Sequence, residues 1–412
     1  MSGKHGRGTI IALSVLLVLL VVLIYTRAFG LLDNTDNQNA GTPDISVSAS
    51  QSPSPKPGDT PIPSPSSSIS TQPAASPTTQ PESGLVPYYG PVEHLFFHPL
   101  IAYPELAFDG DYMSDGLDDW MVTANEFRKM IESIYNNGYI LVDINSVYSE
   151  AENEAGVKVM KRNRLMLPPG KKPLIISLDD VNYLDYMREN GIVYKLILDG
   201  SGNIAAWGLD PDGNEVISYD LDAVTIIDAF VSEHPDFSLN GAKGCIGLTG
   251  YQGILGYRTQ RDSPDRKSEI EAVKPVIERL KQTGWTFASH TYWHPDLSAL
   301  SFDEIAEDTY RWLDEVGALI GGTSILFYPY GSRVDENDSA VFKYLQSVGF
   351  RQFYSVGIEP YVNIHTNSPA VCGDRMHPDG VTLRNYRELY LRFYDAAEVM
   401  DLDVRPEKPY KW

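Results

Sequence analysis

Two stretches of the chain carry side chains of the types that bind a divalent cation. His290 and His294 stand four residues apart in SHTYWHPDL, and the acidic pair Asp179 and Asp180 ends an apolar run well upstream. Imidazole nitrogens and carboxylate oxygens together suit zinc and similar metals. A histidine pair alone is more often structural than metal-binding, but the acidic pair reverses that preference. We therefore predict one divalent metal site built from these residues.

The histidine stretch is not the HExxH motif of zinc peptidases, because Thr291 occupies the position of the glutamate. Pro295 disfavours helical backbone at His294, so we do not expect a long helix through the pair. We expect instead a strand over 285–289 and then a single turn that carries both histidines.

A third stretch, ILFYPYG at residues 325–331, joins the acidic pair and the histidine stretch. Each of the three lies at the carboxyl end of a predicted strand. The apolar run LIISL, residues 174–178, is of the buried parallel type and leads directly into the acidic pair. Residues 325–328 form the third strand, after which Pro329 and Gly331 bracket Tyr330 in a stiff turn. A backbone N–H in that turn could face a developing oxyanion. Active sites of parallel α/β folds lie at the carboxyl ends of strands, so the three stretches are expected to meet.

Helix signals alternate with these strands. Thr123 and Ser301 each begin a capping box, with Glu three residues later. We predict helices from 124 to about 136, over 269–282, from 302 to about 319, over 339–347 and over 384–400, and another strand over 139–142. Repeated strand-then-helix units predict an α/β fold with a parallel sheet, most simply a barrel.

One segment interrupts this alternation. Residues 203–220 contain two short β-type runs around Asp-Pro-Asp-Gly, which is a turn sequence. A helical stretch to about Phe230 follows. The pattern predicts an insertion near 190–240 within the barrel domain, either a lid on the substrate side or a packing element.

The N-terminal residues predict a membrane anchor. Residues 9–25 are almost all apolar and uncharged, and as a helix they would span roughly 25 Å, close to the ~30 Å of a hydrocarbon core. Lys4, Arg7 and Arg27 flank the run. This favours an uncleaved signal anchor with residues 1–8 as a short cytoplasmic tail and the rest outside the cell. A cleaved signal peptide, which would give a secreted protein, is the alternative.

Residues 26–85 are rich in Ser, Pro and Thr and cannot bury enough apolar surface to fold, so we predict a disordered linker. The folded domain is then residues 86–412. The formal net charge of −22 disfavours nucleic acid as a partner, whereas a neutral polysaccharide stays open. Cys245 and Cys372 lie in no metal-type spacing, and both a disulfide and two buried thiols are compatible with the sequence.

The motifs DD, HTYWH and YPYG, in this order, resemble the polysaccharide deacetylase family, carbohydrate esterase family 4. The segments FRKMIESIYNNGYILV and HPDLSALSFDEIAEDTYRWLDEVG are similar to that family as well. The resemblance implies a distorted (β/α) barrel. It also implies that Asp180, His290 and His294 bind a divalent cation, most commonly Zn²⁺ with Co²⁺ as an alternative, and that Asp179 is the general base.

Two positions depart from the family pattern. Val181 stands where a Gly is usual, and Phe327 or Tyr328 stands where an Arg usually contacts the base carboxylate. Arg375, from a later part of the chain, is the candidate to replace that Arg.

The remaining roles also follow from the resemblance. The N–H of Tyr330, next to Pro329, would stabilise the oxyanion. The usual Leu-x-x-His that supplies the general acid has no clear match, so His377 is the first candidate and His365 the second. His98 is expected in a supporting position around the site.

The implied protein is a membrane-anchored, extracellular hydrolase. It would remove acetyl groups from N-acetylated cell-surface polysaccharide, of the peptidoglycan or poly-N-acetylglucosamine type. An O-acetyl esterase on xylan-type sugars and a non-catalytic glycan-binding barrel that retains the metal site are the alternatives.

Overall fold

The computed structural model describes residues 84–411. The predicted cytoplasmic tail (1–8), membrane anchor (9–25) and all but the last residues of the linker (26–85) lie outside this range and stay predictions. Between residues 84 and 411, no helix has the length and apolar character needed to cross a membrane.

Short strands make up the β-structure of residues 84–411. They are β1 (Val86–Tyr88), β2 (Glu93–Phe97), β3 (Tyr139–Leu141), β4 (Tyr148–Glu152), β5 (Lys158–Arg162), β6 (Leu165–Leu167), β7 (Lys172–Leu178), β8 (Lys195–Leu198), β9 (Ile204–Leu209), β10 (Glu215–Ser218), β11 (Gly244–Leu248), β12 (Trp285–Ser289), β13 (Ile325–Phe327), β14 (Gln352–Val356), β15 (Val362–Ile364) and β16 (Val371–Arg375).

Helices connect most of the long strands. The α-helices of the described range are Pro104–Ala107, Ser114–Trp120, Ala124–Asn136, Ile144–Val147, Asp185–Glu189, Ala223–Glu233, Arg266–Gln282, Phe302–Trp312, Ala318–Ile320, Ala340–Ser347, Gly380–Asn385, Arg387–Tyr390 and Ala396–Val399. A π-helical turn, Leu313–Gly317, joins Phe302–Trp312 to Ala318–Ile320, so the two form one continuous helix.

The main sheet is parallel and strongly curled. β2, β7, β11, β12, β13, β14 and β16 lie side by side in that order, each parallel to its neighbour. Leu95 of β2 then forms a parallel bridge with Met376, directly after β16. Phe96 N donates to Met376 O and Met376 N donates to His94 O, both at 2.9 Å. The predicted α/β fold is confirmed, and its distorted barrel is a curled parallel sheet whose two ends meet at one bridge.

Side chains alternate across this sheet and separate two cores. On β7, Ile175 joins the small core inside the barrel, whereas Leu174 and Ile176 join the large core beneath the helices. Because the period of a strand is two residues, the inward series continues through Ser177 to Asp179. The same alternation on β16 places Val371 inside and carries the inward series to Arg375.

Most of the predicted elements are confirmed. Thr123 and Ser301 form complete capping boxes with Glu126 and Glu304, and the strand Trp285–Ser289 has the predicted bounds. The predicted helix over 384–400 is wrong. Three short helices occupy the region, because Asp379 caps a helix that starts earlier and ends at residue 385, and Asp395 caps a new one.

The insertion contains the predicted hairpin. β9 and β10 pair antiparallel around the Asp-Pro-Asp-Gly turn, and β8, which the sequence pattern did not reveal, pairs with β9. Asp222 caps the following helix, Ala223–Glu233. Ile204, Val224 and Ile227 belong to the large core, so the insertion packs as part of the domain.

The two cysteines are free and buried. Cys245 lies in the core inside the barrel and Cys372 in the core beneath the helices. The sheet therefore separates them, and the disulfide alternative is not realised.

Candidate metal centre

Asp180, His290 and His294 meet at the carboxyl end of the barrel. Their ligand atoms all lie within 4.8 Å of one another, and His294 Nε2 is 3.7 Å from Asp180 Oδ2. Ligands that share a tetrahedral zinc ion lie roughly 3.4 Å apart, so small side-chain movements bring these three atoms to one cation. The geometry therefore fits the predicted ligand set.

Two of these ligands, Asp180 and His294, have left-handed backbone conformations. Asp180 has φ 57° at the end of β7, which turns its carboxylate toward the histidine loop. Thr291 (φ 63°) and His294 (φ 57°) bend that loop, and no helical turn covers the histidine pair. The strand Trp285–Ser289 thus leads into a bent loop, in which two left-handed residues take the place of a helical turn. Such conformations are costly for non-glycine residues and concentrate at functional sites.

His290 is oriented from behind by the backbone of β13. Its Nδ1 lies 3.0 Å from Phe327 O. Because a carbonyl oxygen only accepts, Nδ1 carries the proton and Nε2 keeps its lone pair. A second hydrogen bond of this kind fixes the tautomer and ring plane of most metal-ligating histidines.

Asp179 is held by a buried arginine. Arg375 Nη1 and Nη2 donate to Asp179 Oδ1 and Oδ2 at 2.7 and 2.8 Å, and the guanidinium lies between the rings of Phe96 and Phe327, 4.3 and 4.0 Å from their centres. Gly247 leaves space for this pair, since a Cβ there would lie 3.0 Å from Asp179 Oδ1. Arg375 thus occupies the place expected for the missing motif arginine.

Burial and charge set the ionisation of the centre. Burial alone raises the pKa of Asp179, but the Arg375 guanidinium, with His290, outweighs burial and holds that pKa well below its ordinary value. Burial raises the pKa of Asp180 to about 6 against the attraction of His290. Burial also lowers the pKa of His290 and brings that of His294 to about 4. Both imidazoles are therefore neutral at pH 7, the form that binds metal.

An unsatisfied carboxylate oxygen supports a cation at this point. Asp180 Oδ1 is buried and has no hydrogen-bond partner. Leaving such an atom unpaired costs about 1–3 kcal/mol or more for a charged group. A divalent cation between this carboxylate and the two imidazole nitrogens would remove that cost, so the residues present fit the predicted metal.

Tyr330 flanks the ligands from the third motif. Pro329–Gly331 forms one 3₁₀ turn in which Tyr330 has φ 57°. The Tyr330 ring packs edge-on against His294 at a centroid distance of 4.6 Å. The turn after β13 therefore lies beside the centre, as the order of the motifs predicts.

His377 lies on the inward series of β16, two residues beyond Arg375. Its ring stacks on Phe96 at 4.3 Å and meets the edge of His98 at 4.7 Å. His377 Nδ1 is 2.9 Å from Asp379 Oδ2, and His377 Nε2 is buried without a partner. His98 Nδ1 lies 3.3 Å from Trp120 O. This backbone contact holds the His98 ring in place against the ring of His377.

The second candidate acid is elsewhere. His365 packs against Phe342 at 5.3 Å and lies 3.5 Å from Cys372 Sγ. Both neighbours belong to the core beneath the helices. His365 is thus outside the barrel and does not join the centre.

Two aromatic residues near the centre were not anticipated as site residues. Tyr251 follows β11, and its ring lies 6.0 Å from that of Trp293 with 24° between the planes. Burial raises the pKa of Tyr251, and the charge of Asp180 raises it further. The local sequence shows little sign of β11, because GCIGL is short and contains two glycines. The polar Thr249 and flexible Gly250 directly after it were the only local signal of a strand end.

Comparison with known proteins agrees with the motifs. Residues 263–353 match the family model described as polysaccharide deacetylase. That segment includes both histidines and the Tyr330 turn, whereas Asp179, Asp180 and Arg375 lie outside it. The resemblance to the polysaccharide deacetylase family is therefore confirmed.

Among solved structures, the chain is similar to the Streptococcus pyogenes deacetylase PplD in complex with acetate. The identity is 15% over 75% of this chain and 100% of that chain, with a TM-score of 0.42. It is also similar to IcaB from Ammonifex degensii, at 14% identity over 71% of this chain and 93% of that chain, with a TM-score of 0.40. A comparison with curated proteins found no match. With scores this low, the chemistry rests on the geometry of the chain itself.

Proposed function

We propose that this protein is a metal-dependent hydrolase that removes acetyl groups from an N-acetylated cell-surface polysaccharide, of the peptidoglycan or poly-N-acetylglucosamine type. The observation that carries the proposal is the convergence of Asp180, His290 and His294 beside the paired Asp179 and Arg375. The family match over residues 263–353 supports the same reaction class.

The donor set suits Zn²⁺, and Co²⁺ accepts the same ligands. When bound, such a cation lowers the pKa of a water molecule and polarises the acetyl carbonyl. Three protein ligands leave a coordination position for that chemistry. The remaining catalytic groups are residues that follow strands β7, β13 and β16 of the barrel.

Asp179 takes the proton of the attacking water. Its Oδ2 lies 3.8 Å from His290 Nε2, so the base stands beside the ligand set. Arg375 keeps the carboxylate ionised and fixes its plane through two hydrogen bonds. The low pKa makes Asp179 a weak base, and a bound cation would compensate by making the water more acidic.

His377 returns a proton to the leaving group. Asp379 holds the ring through Nδ1, which leaves the buried Nε2 for the transfer. As the hydroxyl adds to the carbonyl carbon and the C–N bond breaks, the sugar nitrogen gains this proton and leaves as the amine. An amide requires such an acid more than an ester does, so the dyad of His377 and Asp379 favours N-deacetylation.

The backbone N–H of Tyr330 stabilises the oxyanion of the tetrahedral intermediate. Its left-handed conformation and the flanking Pro329 fix the direction of the peptide. Preorganised donors of this kind typically contribute about 10²–10³ in rate.

The predicted anchor at residues 9–25 and the linker at 26–85 complete the proposal. They would hold the domain outside the cell membrane, within reach of cell-wall glycan; a cleaved N-terminal segment would instead release it. Neutral glycan is also the polymer that a chain of net charge −22 approaches without repulsion.

The test is acetate release by the full-length chain with added Zn²⁺. Amide-linked substrates are peptidoglycan and N-acetylglucosamine oligomers, and the ester-linked substrate is acetylated xylan. We expect release from an amide-linked substrate, loss of release with EDTA, and a fall of about 10²–10⁴ in rate for Asp179→Asn. The matched control Asp303→Asn, at an exposed helix start, should retain full rate.

Release from the ester substrate alone would identify an O-acetyl esterase. Glycan binding with no release from any substrate, unaffected by EDTA, would identify a non-catalytic glycan-binding barrel. Either result contradicts the proposed N-deacetylase.

A further inference from the structure

A short segment of this acidic chain is strongly basic. Residues 158–172 hold six basic and no acidic residues, whereas the whole chain has a formal net charge of −22. The basic residues of the segment are Lys158, Lys161, Arg162, Arg164, Lys171 and Lys172. Lys171 binds Asp236 at 3.2 Å, and Lys172 lies 4.1 Å from the ring centre of Tyr139. The other four are exposed, so they form a local positive field on a negative molecule.

This segment lies at the amino end of the barrel, where β4 and β5 form an antiparallel hairpin. Arg351, directly before β14, donates to Glu150 of β4. Asn153 Nδ2, in the hairpin turn, donates at 3.1 Å to Thr366 O, in the loop before β16. These contacts hold the hairpin against the amino ends of the barrel strands. The metal centre follows the carboxyl ends of the same sheet, so the two features lie at opposite ends of the barrel.

Three acidic residues precede the basic segment, on β4 and in the hairpin turn: Glu150, Glu152 and Glu154. In the strand register Glu150 lies opposite Met160, and Glu152 lies opposite Lys158. Met160 belongs to the core inside the barrel, so these two acids share the face that turns toward the barrel. Lys161, next to Met160, points to the opposite face. The acids of β4 therefore leave the charge of Lys161 uncompensated.

The chain enters the domain beside these cations. The predicted linker ends at residue 85, and β1 then pairs antiparallel with β6, which begins directly after Arg164. Arg162 donates to Gly90 O, which ties the loop after β1 to β5. Tyr89, in that loop, is 79% exposed. Tyrosine is enriched where proteins meet the boundary of a bilayer. Exposed cations, an exposed tyrosine and the end of the predicted linker thus share one end of the barrel.

We propose that Lys161, Arg162, Arg164 and Tyr89, here called the basic face, dock on the anionic headgroups of the membrane that carries the predicted anchor. An anionic bilayer attracts nearby basic side chains and repels the acidic rest of the domain. The predicted linker alone allows any orientation within about 40 Å of the membrane, and it keeps the local concentration high enough for weak docking. Docking fixes one orientation, with the metal centre turned away from the lipid. This inference goes beyond the proposed function and does not depend on acetate release.

The test measures how the full-length protein sits on lipid vesicles. The vesicles contain either phosphatidylcholine alone or phosphatidylcholine mixed with phosphatidylglycerol. A fluorophore is attached through Ala155→Cys, in the turn of the hairpin, or through Ala299→Cys, shortly after the histidine loop. Both positions are exposed, whereas Cys245 and Cys372 are buried, so the label goes to the introduced thiol. Energy transfer to an acceptor on the lipid headgroups reports which end of the barrel lies near the membrane.

We expect strong transfer from the Ala155 label on phosphatidylglycerol vesicles and weak transfer on phosphatidylcholine alone. The Ala299 label should give weak transfer on both. Combining Lys161→Gln with Arg164→Gln should lower the ratio of docked to undocked protein by ~30-fold, since each basic side chain contributes about 5-fold. The matched control, Lys267→Gln with Lys274→Gln, removes the same charge from exposed positions of the helix Arg266–Gln282 and should leave the ratio unchanged.

Equal transfer on both kinds of vesicle, an equal loss in both double variants, or stronger transfer from the Ala299 label would overturn the basic face. If the N-terminal segment is cleaved and the protein is released, co-sedimentation with the same vesicles decides. Binding that Lys161→Gln with Arg164→Gln weakens supports the proposal, and no binding overturns it. Binding to soluble poly(glycerol phosphate) without vesicle docking would assign the cations to an anionic wall polymer and overturn the membrane as partner.

Discussion

Two clusters of charge are buried in this domain, and they are built by opposite rules. One is the metal centre. The other, here called the C-terminal ion cluster, consists of Asp118, Glu126, Arg384, Arg405 and Lys408. Both gather charges from distant parts of the chain, yet only the C-terminal ion cluster is balanced by its own side chains.

The C-terminal ion cluster leaves its acids fully compensated. Arg405 donates to Asp118 Oδ1 at 2.8 Å and to Glu126 Oε1 at 2.6 Å, and all three side chains are 0% exposed. Arg384 reaches the same Asp118 oxygen at 2.6 Å, and Lys408 lies 2.9 Å from the other. Lys408 also contacts the surface carboxylates of Asp115 and Asp119. Each of the two buried carboxylates nevertheless has at least one cation beside it, so the cluster needs no external ion.

The metal centre has two carboxylates and one internal cation. Arg375 is committed to Asp179, so Asp180 keeps a buried oxygen without a partner. Left-handed residues bend the backbone there, whereas regular helices carry Asp118 and Arg384. The comparison teaches that a compensated buried cluster serves the fold, while an uncompensated one on strained backbone is kept for a ligand.

The largest expected effect comes from Asp180→Asn. Zinc affinity should fall by more than about 100-fold, beyond the loss caused by removing an outer hydrogen-bond partner, and acetate release should disappear. The metal-free protein should keep or gain stability, because the substitution removes a buried uncompensated charge. Titration against a chromogenic chelator and urea unfolding with EDTA measure the two effects. Unfolding at much lower urea would instead place Asp180 among the structural charges.

Arg405→Met should do the reverse. It leaves Asp118 and Glu126 buried without their shared cation, which costs about 3–5 kcal/mol in free energy of unfolding. Zinc affinity of the folded protein should stay at the wild-type value. The control Lys274→Met, from the exposed pair with Glu271, should change the free energy of unfolding by no more than about 1 kcal/mol. If Arg405→Met and Lys274→Met unfolded at the same urea concentration, the C-terminal ion cluster would not be a structural element distinct from the metal centre.

Arg375→Lys tests the one internal cation of the metal centre. Lysine keeps the charge but cannot donate to both oxygens of Asp179 in one plane, so kcat should fall by about 10–100-fold. Zinc affinity should change less than kcat, because Arg375 binds the proposed base Asp179 and contacts none of the three proposed metal ligands directly. Steady-state acetate release decides, and full activity of the lysine variant would remove Arg375 from the mechanism.

Asp222→Asn gives the smallest effect. It concerns a buried acid outside both clusters, which has hydrogen bonds but no cation partner. Burial, opposed by the Tyr183 hydroxyl bond of 2.8 Å, raises the pKa of Asp222 to about 6. Between pH ~4 and ~6 the folded state thus binds more protons than the unfolded state, and this contribution to stability is lost as pH rises.

Relative to Asp222→Asn, which does not titrate, the wild type should lose about 2 kcal/mol in free energy of unfolding from pH 4 to 7. Urea unfolding of both proteins across that range measures the difference. A constant difference would show that folding does not raise the pKa of Asp222.

Local patterns made much of the fold predictable. The apolar run before Asp179, the capping boxes at Thr123 and Ser301, and the hairpin turn all act within a few residues. The strands that precede the acidic pair and the histidine pair are parallel, so their carboxyl ends lie at the same end of the barrel. This arrangement made the proposed ligand set predictable.

What stayed hidden depends on distant contacts or rare backbone. Nothing local marks Asp180 or His294 as left-handed, because such conformations in non-glycine residues are imposed by the surrounding structure. The C-terminal helix was overestimated for a related reason. Arg384 is bound to Asp118, far away in sequence, and Asp395 restarts the helix, so tertiary contacts override helix propensity.

The single bridge between Leu95 and Met376 decides when during synthesis the centre can be complete. Asp179, Asp180 and both histidines leave the ribosome well before Arg375 and His377, which lie next to the closing bridge. Until the last strand docks, the proposed base Asp179 has no counter-charge and the proposed acid His377 is not in place. Because this contact joins residues almost 300 positions apart, it is also among the slowest kind to form. A nascent or truncated chain that lacks its final strand would therefore lack the proposed acid and the partner of the proposed base, even with every proposed ligand in place.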